Sequence, residues 1–182
     1  MSAGEFGYRS GLVTADGALH AGTSRTDLLA AAATLHSTPY GPVMRAVAED
    51  ADGRAQTPIE TLARILLFNM GITDLELQVR ISFPSGGWAE VDILSKSLRH
   101  VFETDGRLKY QPQLDRYGRQ ISADEVVWME KKREDKVRGQ ALGVSRIFWA
   151  DTFEGNFKAA SARLWSEIRA QSARRHELPP TA

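Results

Sequence analysis

Three acidic residues, Asp92, Glu103 and Asp105, stand in strand-like surroundings where a carboxylate is costly. Asp92 lies between Val91 and Ile93, and Glu103 and Asp105 are separated by one residue, so that an extended chain places both on one face. A carboxylate in a buried strand requires a partner, because an unpaired charge away from water costs free energy. The pattern favours a divalent-metal site shared by two neighbouring strands.

Periodicity and capping signals predict the elements that position these acids. The segment Thr57-Pro58-Ile59-Glu60 begins a helix that extends to Met70, with Glu60 completing a capping box. Apolar spacing and turn residues predict further strands and helices. The strands are expected over 75–83, 88–94, 100–104 and 144–150, and the helices over 25–35, 43–51, 122–142 and 153–172.

This order of elements predicts an α/β fold in which helices flank a mixed four-stranded sheet. The long polar connection over 105–124 is of a length usually associated with function or mobility. The chain is expected to divide into segments of distinct character. They are 1–10, disordered or a cloning-derived extension; 11–55, a small helical segment; 56–172, the α/β domain; and 173–182, a disordered tail.

Composition excludes several classes of protein. The 182 residues include 23 basic and 23 acidic side chains, so bulk charge indicates no particular partner, although residues 1–60 carry seven acids and four bases. The absence of cysteine excludes disulfides and thiolate zinc sites and fits a reducing cytoplasm. No apolar run is long enough to span a membrane, so we expect a cytoplasmic protein without a membrane partner.

The element order, with Asp92 and the run Glu103-Thr104-Asp105-Gly106, resembles the PD-(D/E)XK nuclease superfamily. Within that superfamily it is most similar to the branch related to very-short-patch-repair endonucleases, and the later Glu130-Lys131-Lys132-Arg133 segment is also similar. With residues 23–35 and the helix start at Thr57, the chain looks like the C-terminal part of AbiEi-type antitoxin-family proteins. The resemblance covers about residues 11–150 and is most specific over 91–110.

The resemblance implies a restriction-endonuclease-like αβββαβ core and a Mg²⁺-dependent (or Mn²⁺-dependent) endonuclease or nickase acting on DNA. It implies Asp92 and Glu103 as metal ligands, Asp105 beside them, Lys109 at the scissile phosphate, and Glu60 at a second metal or a bound water. One position departs from the pattern, because Asp105 stands where the superfamily has lysine. Lys109 and Lys131 are both candidate substitutes.

The expected nucleic acid is DNA, with RNA as an open alternative and with Tyr110 and Tyr117 able to stack on bases. The predicted phosphate contacts are Lys109, Arg116, Arg119, Lys131 and Arg133. The main competing hypothesis is a catalytically inactive nuclease-like fold that acts as an antitoxin or phage-defence regulator through protein or DNA binding. A third is a phage or mobile-element accessory protein with no nucleic-acid role.

Individual residues also have purely structural interpretations. Glu60 could serve only the helix cap, and Asp92 could form an ion pair with Arg80 or Arg107. The acids Glu103 and Asp105 could be compensated by basic side chains, and the charged helix could simply face solvent.

Overall fold

The structure, a computed structural model, describes residues 3–105, 113–114 and 120–177. The chain forms two compact units, Met1–Gly71 and Ile72–Ala182. The sequence predicts a boundary between residues 55 and 56, which is earlier in the chain than this division. The helix that begins at Pro58 therefore belongs to the first unit.

The first unit consists of helices, three of which were predicted from capping and periodicity. Ser24 caps the second, since its hydroxyl accepts a hydrogen bond from the Asp27 amide at 3.0 Å. The buried apolar cluster of this unit consists of Leu12, Ala15, Val47 and Ala51. The helices are α1 (Ala3–His20), α2 (Arg25–Thr34), α3 (Gly41–Asp50) and α4 (Pro58–Asn69).

Helix α1 corrects the expectation that residues 1–10 are disordered, because residues 3–10 are helical. Glycines at 7 and 11 lower the local helix propensity, but contacts with α3 outweigh that preference. The Tyr8 hydroxyl donates a hydrogen bond to Asp50 at 2.9 Å. A Cβ atom at Gly11 would lie 3.1 Å from a Val47 methyl group, so glycine permits α1 to approach α3 closely.

A buried carboxylate, Asp16 of α1, connects three parts of this unit. It accepts hydrogen bonds from the Asp52 amide at 2.7 Å, the Thr61 hydroxyl at 2.7 Å and the Arg64 guanidinium at 2.9 Å. Asp16 is 1% exposed, so these bonds compensate its removal from water.

The contact between Tyr8 and Asp50 predicts an alkaline titration. Burial, the hydrogen bond to Asp50 and the Asp50 charge raise the pKa of Tyr8 to about 12. Since this value lies above the ordinary tyrosine pKa of 10.0, the associated stability is complete below pH 10 and is lost as the pH rises toward 12. In an ultraviolet absorbance titration, one of the four tyrosines should ionise last, and Tyr8→Phe should remove that step. Identical titrations of both proteins would contradict the assignment.

The second unit is an α/β domain with a mixed four-stranded sheet, as predicted. The sheet order is β1-β2-β3-β6, in which β1, β2 and β3 are antiparallel neighbours and β3 is parallel to β6. A small antiparallel ladder, β4 with β5, lies within the connection after β3. The elements are β1 (Leu75–Ser82), β2 (Trp88–Ser95), β3 (His100–Asp105), β4 (Gln113–Leu114), β5 (Gln120–Ile121), α5 (Ala123–Arg138), β6 (Gly143–Phe148) and α6 (Phe157–Glu177).

Helix α5 is the crossover between β3 and β6, and its Val137 packs on the sheet against Val101 and Val144. It begins at the predicted capping box, where Ser122 and Glu125 exchange hydrogen bonds with each other's backbone amides. It ends at Arg138 rather than at the predicted residue 142, because Ala141 adopts a φ of +56°.

The boundaries of β6 and of α6 also differ from prediction. Strand β6 ends at Phe148, because its expected last residues form part of a 3₁₀ turn, Trp149–Thr152. A second 3₁₀ turn, Glu154–Asn156, follows, so that α6 begins at Phe157 rather than at residue 153. The Asp151 carboxylate explains the first turn, because it accepts bonds from the Phe148 amide and the Arg163 guanidinium. Helix α6 continues into the segment expected to be a disordered tail, as far as Glu177. Within the described part of the chain, every helix is too short or too polar to span a bilayer.

Candidate functional site

Asp92 and Glu103 lie at the end of the ladder between β2 and β3. The paired residues are Ile93 with Phe102, Leu94 with Val101, and Ser95 with His100. The ladder ends at the Ile93–Phe102 pair, and Asp92 and Glu103 are the residues that directly adjoin this last pair, one on each strand.

The sheet is irregular at the level of Asp92. Val91 and Leu94 both contribute to the core cluster beside α5, although strict alternation would place them on opposite faces. On β1, the ladder passes from the Leu77–Ile93 pair to the Val79–Val91 pair, and Gln78 between them has a φ of +52°. A positive φ is uncommon outside glycine. The backbone of two neighbouring strands is therefore distorted beside this carboxylate.

The Asp92 carboxylate binds the backbone of the neighbouring strand. Its Oδ2 atom accepts hydrogen bonds from the Thr104 amide at 2.7 Å and from the Thr104 hydroxyl at 2.8 Å. The alternative partner Arg80 instead places its guanidinium over the Trp88 ring, 3.7 Å from the ring centroid. Arg107, the other alternative, lies outside the described residues. Thr104 thus fixes the orientation of Asp92.

Glu103 is a buried carboxylate paired with an arginine of α5. Only 8% of the residue is exposed, and its Oε2 atom lies 3.1 Å from Nη2 of Arg133. The Nη1 atom of Arg133 donates a second hydrogen bond to the Glu90 carbonyl at 2.8 Å. Arg133 therefore connects β2 to β3 where their own ladder has ended.

Asp105 belongs to a larger ionic network on the α5 side of the sheet. Strand alternation places Asp105 on the same face of the sheet as Glu103. Glu103 is paired in the β3–β6 ladder with Arg146. Arg146 donates to Glu130 at 3.1 Å and to Glu134 at 3.2 Å. Burial alone would lower the pKa of Arg146, but the charges of Glu130, Glu134 and Asp105 raise it overall.

The network continues along α5. Glu134 also accepts a bond from Arg138 at 2.8 Å. Burial would raise the pKa of Glu134, but its bonds to Arg138 and Arg146 outweigh that effect and hold the pKa below its usual value. Charges of both signs alternate here, so this face of the helix is ion-paired with the strands rather than merely solvated.

Glu60 lies in the first unit and is engaged at the start of α4. Its carboxylate accepts hydrogen bonds from the Gln56 amide at 2.9 Å and from the Thr57 hydroxyl at 2.7 Å. The predicted capping box is therefore rearranged, because Thr57 donates its hydroxyl to Glu60 instead of accepting from a helix amide. These bonds agree with the structural interpretation of Glu60, and its proposed role at a second metal stays a prediction.

The predicted phosphate contacts fall into two groups. Lys131 and Arg133 lie on α5, where Lys131 is exposed and Arg133 is partly buried. The others, Lys109, Arg116 and Arg119, lie outside the described residues, as do Tyr110 and Tyr117. Thr104, Glu134 and Arg146 were not predicted as site residues, although Arg146 follows the charged helix on a strand beside the acids.

Asp92 and Glu103 are the carboxylates expected to hold a divalent cation. Within the described ranges, no three His, Cys, Asp or Glu side chains gather closely enough to hold a metal. Magnesium commonly uses one or two carboxylates and completes its shell with water. Asp92 and Glu103 match that oxygen chemistry, and the guanidinium beside Glu103 shows that this position accommodates positive charge. The two residues therefore offer the type of oxygen ligand that magnesium binds, and the metal stays a prediction.

No protein-family model matches the chain, and neither a curated protein nor a solved structure does. The fold that the structure establishes is α/β with a mixed four-stranded sheet. The narrower assignment to a nuclease core therefore rests on the motif residues and the order of elements.

The bond between Asp92 and Thr104 predicts a specific loss of stability. Thr104→Val keeps the side-chain shape but leaves the half-buried carboxylate without its hydroxyl donor. We expect the free energy of unfolding, measured by urea denaturation, to fall by about 1–3 kcal/mol. Thr104→Ser retains the hydroxyl and should lose clearly less. A loss for Thr104→Ser that equals or exceeds the loss for Thr104→Val would show that the hydrogen bond contributes no more than the packing of the Thr104 methyl group.

Proposed function

We propose that this protein hydrolyses phosphodiester bonds in DNA with a magnesium or manganese ion held by Asp92 and Glu103. The observation that supports the proposal is that Asp92 and Glu103 both adjoin the last pair of the β2–β3 ladder, Ile93 with Phe102. The succession α4, β1, β2, β3, α5, β6 agrees with the restriction-endonuclease-like core that the sequence motif implies. The parallel pairing of β3 with β6 is what a helical crossover such as α5 produces.

Each described residue has a definable task in this proposal. A bound magnesium ion would neutralise the phosphate and lower the pKa of the attacking water. Thr104 holds Asp92 in one orientation, so that this ligand is positioned before substrate arrives. Arg133 balances the buried charge of Glu103 and carries a guanidinium suited to phosphate oxygens. Lys131 offers a second cation on the same helix.

Asp105 stands at the position where the superfamily has lysine, and the charges around it suit an acid. Asp105 contributes negative charge near Arg146, which binds two acids of α5. A lysine here would place a further cation beside Arg146. The phosphate-directed role is therefore assigned to Lys109, with Lys131 as the alternative.

A second candidate function is favoured by the ion pair between Glu103 and Arg133. A buried carboxylate that already has a hydrogen-bonded counter-charge does not require a cation. In this case the nuclease-like fold is catalytically inactive and acts as an antitoxin or phage-defence regulator through protein or DNA binding.

The test is magnesium-dependent cleavage of supercoiled plasmid by the full chain. Asp92→Asn and Glu103→Gln preserve shape while removing charge, and each should lower the cleavage rate by about a hundredfold or more. Asp74→Asn is the matched control. Asp74 also accepts bonds from a backbone amide (Ser97, 2.7 Å) and a hydroxyl (Ser95, 2.8 Å), but it lies at the start of β1 rather than beside Glu103.

Cleavage that persists unchanged in both acid variants would refute the assignment. If the wild-type protein cleaves neither DNA nor RNA with magnesium or manganese but still retards DNA in a gel, the binding-only function is supported. Circular dichroism of each variant establishes that the fold is intact.

A further inference from the structure

Arg133 of α5 contacts two neighbouring strands, β2 and β3. One of its nitrogens binds the buried Glu103 carboxylate on β3, and the other binds the Glu90 carbonyl on β2. The side chain is 34% exposed, so it is accessible to solvent while it contacts both strands. It therefore lies directly beside the carboxylate that the proposed function assigns to a metal.

The neighbouring arginines are engaged with other acids. Arg138 pairs with Glu134, and Arg146 pairs with Glu130 and Glu134. Glu103 pairs with Arg133 at 3.1 Å. Removing the Arg133 charge would take a counter-charge away from a buried carboxylate, and this costs free energy unless another cation replaces it.

We propose that Arg133 is a positioning residue that holds Glu103 in the metal-free protein and releases it when a divalent cation binds. This inference rests on the proposed function. A guanidinium and a divalent cation compete for the same carboxylate, and their like charges repel at short range. Arg133 keeps its bond to the Glu90 carbonyl when it leaves Glu103, so the freed nitrogen remains beside the site and can donate to a phosphate oxygen.

The experiment measures Mn²⁺ binding to the full chain by isothermal titration calorimetry, without substrate. Arg133→Gln removes the competing charge and should tighten Mn²⁺ binding by about tenfold, within the range over which partners of metal ligands alter affinity. Arg133→Lys keeps the charge and should bind Mn²⁺ within about threefold of wild type. Glu103→Gln, introduced into Arg133→Gln, should abolish the gain.

Arg138→Gln is the matched control, because Arg138 also lies on α5 and also binds both an acid, Glu134, and a backbone carbonyl, that of Val144. Its Mn²⁺ affinity should equal that of wild type. A general effect of removing one positive charge from α5 would tighten binding equally in both variants and would overturn the proposal.

Thermal unfolding provides a second measurement. Arg133→Gln should melt at a lower temperature than wild type without metal, and saturating Mn²⁺ should raise its Tm by more than it raises that of wild type. If the role of Arg133 is purely structural, Arg133→Gln will lower the Tm, but the rise in Tm on adding Mn²⁺ and the Mn²⁺ affinity will equal those of wild type. That result would overturn the inference and leave the proposed function standing. Absence of Mn²⁺ binding by wild type and by Arg133→Gln alike would overturn the proposed function and the inference with it.

Discussion

The free-energy cost of burying the Glu103 carboxylate determines how this part of the molecule is arranged. At 8% exposure, the charge requires a partner, and Arg133 of α5 supplies it at 3.1 Å. The same guanidinium binds the Glu90 carbonyl, so one side chain restores a connection between β2 and β3 after their ladder ends. The position of α5 on the sheet is thus tied to an acid that hydrophobic packing alone would exclude.

The contact between α5 and the sheet has two chemically different parts. Toward the end of the helix, Val137 packs against Val101 and Val144, an arrangement that supplies apolar burial without fixing which charged groups meet. Earlier on the helix, the contacts are ionic and directional, and they involve Glu103 and Arg146 of the strands. The apolar part stabilises the crossover, and the ionic part sets the positions of the acids that the site depends on.

Local sequence signals made the strands and most helices of this chain predictable. The side-chain pairs between residues distant in the sequence were not predictable from such signals. The caps at Ser24 and Ser122 and the alternation around Glu103 are properties of a few consecutive residues. In contrast, Arg133 and Glu103 are 30 positions apart in the sequence, and the Asp16 network spans 48. The first part of helix α1, residues 3–10, was expected to be disordered because its glycines have low helix propensity, whereas the helix is packed closely against α3.

Hydrogen bonding to Asp92 is by itself weak evidence for a functional role, because the same chemistry occurs elsewhere in the unit. Asp74 also accepts a backbone amide and a hydroxyl, and the Ser97 amide holds the pKa of Asp74 below its usual value. That exposed residue simply joins two chain segments. Asp92 differs because it adjoins the last pair of the β2–β3 ladder, as the buried Glu103 does. Residues at positive φ cluster at functional sites, but one lies near each aspartate, Gln78 near Asp92 and Arg99 in the turn that Asp74 binds. The position next to Glu103 at the end of the ladder, rather than the hydrogen bonds or the strain, therefore distinguishes Asp92 from Asp74.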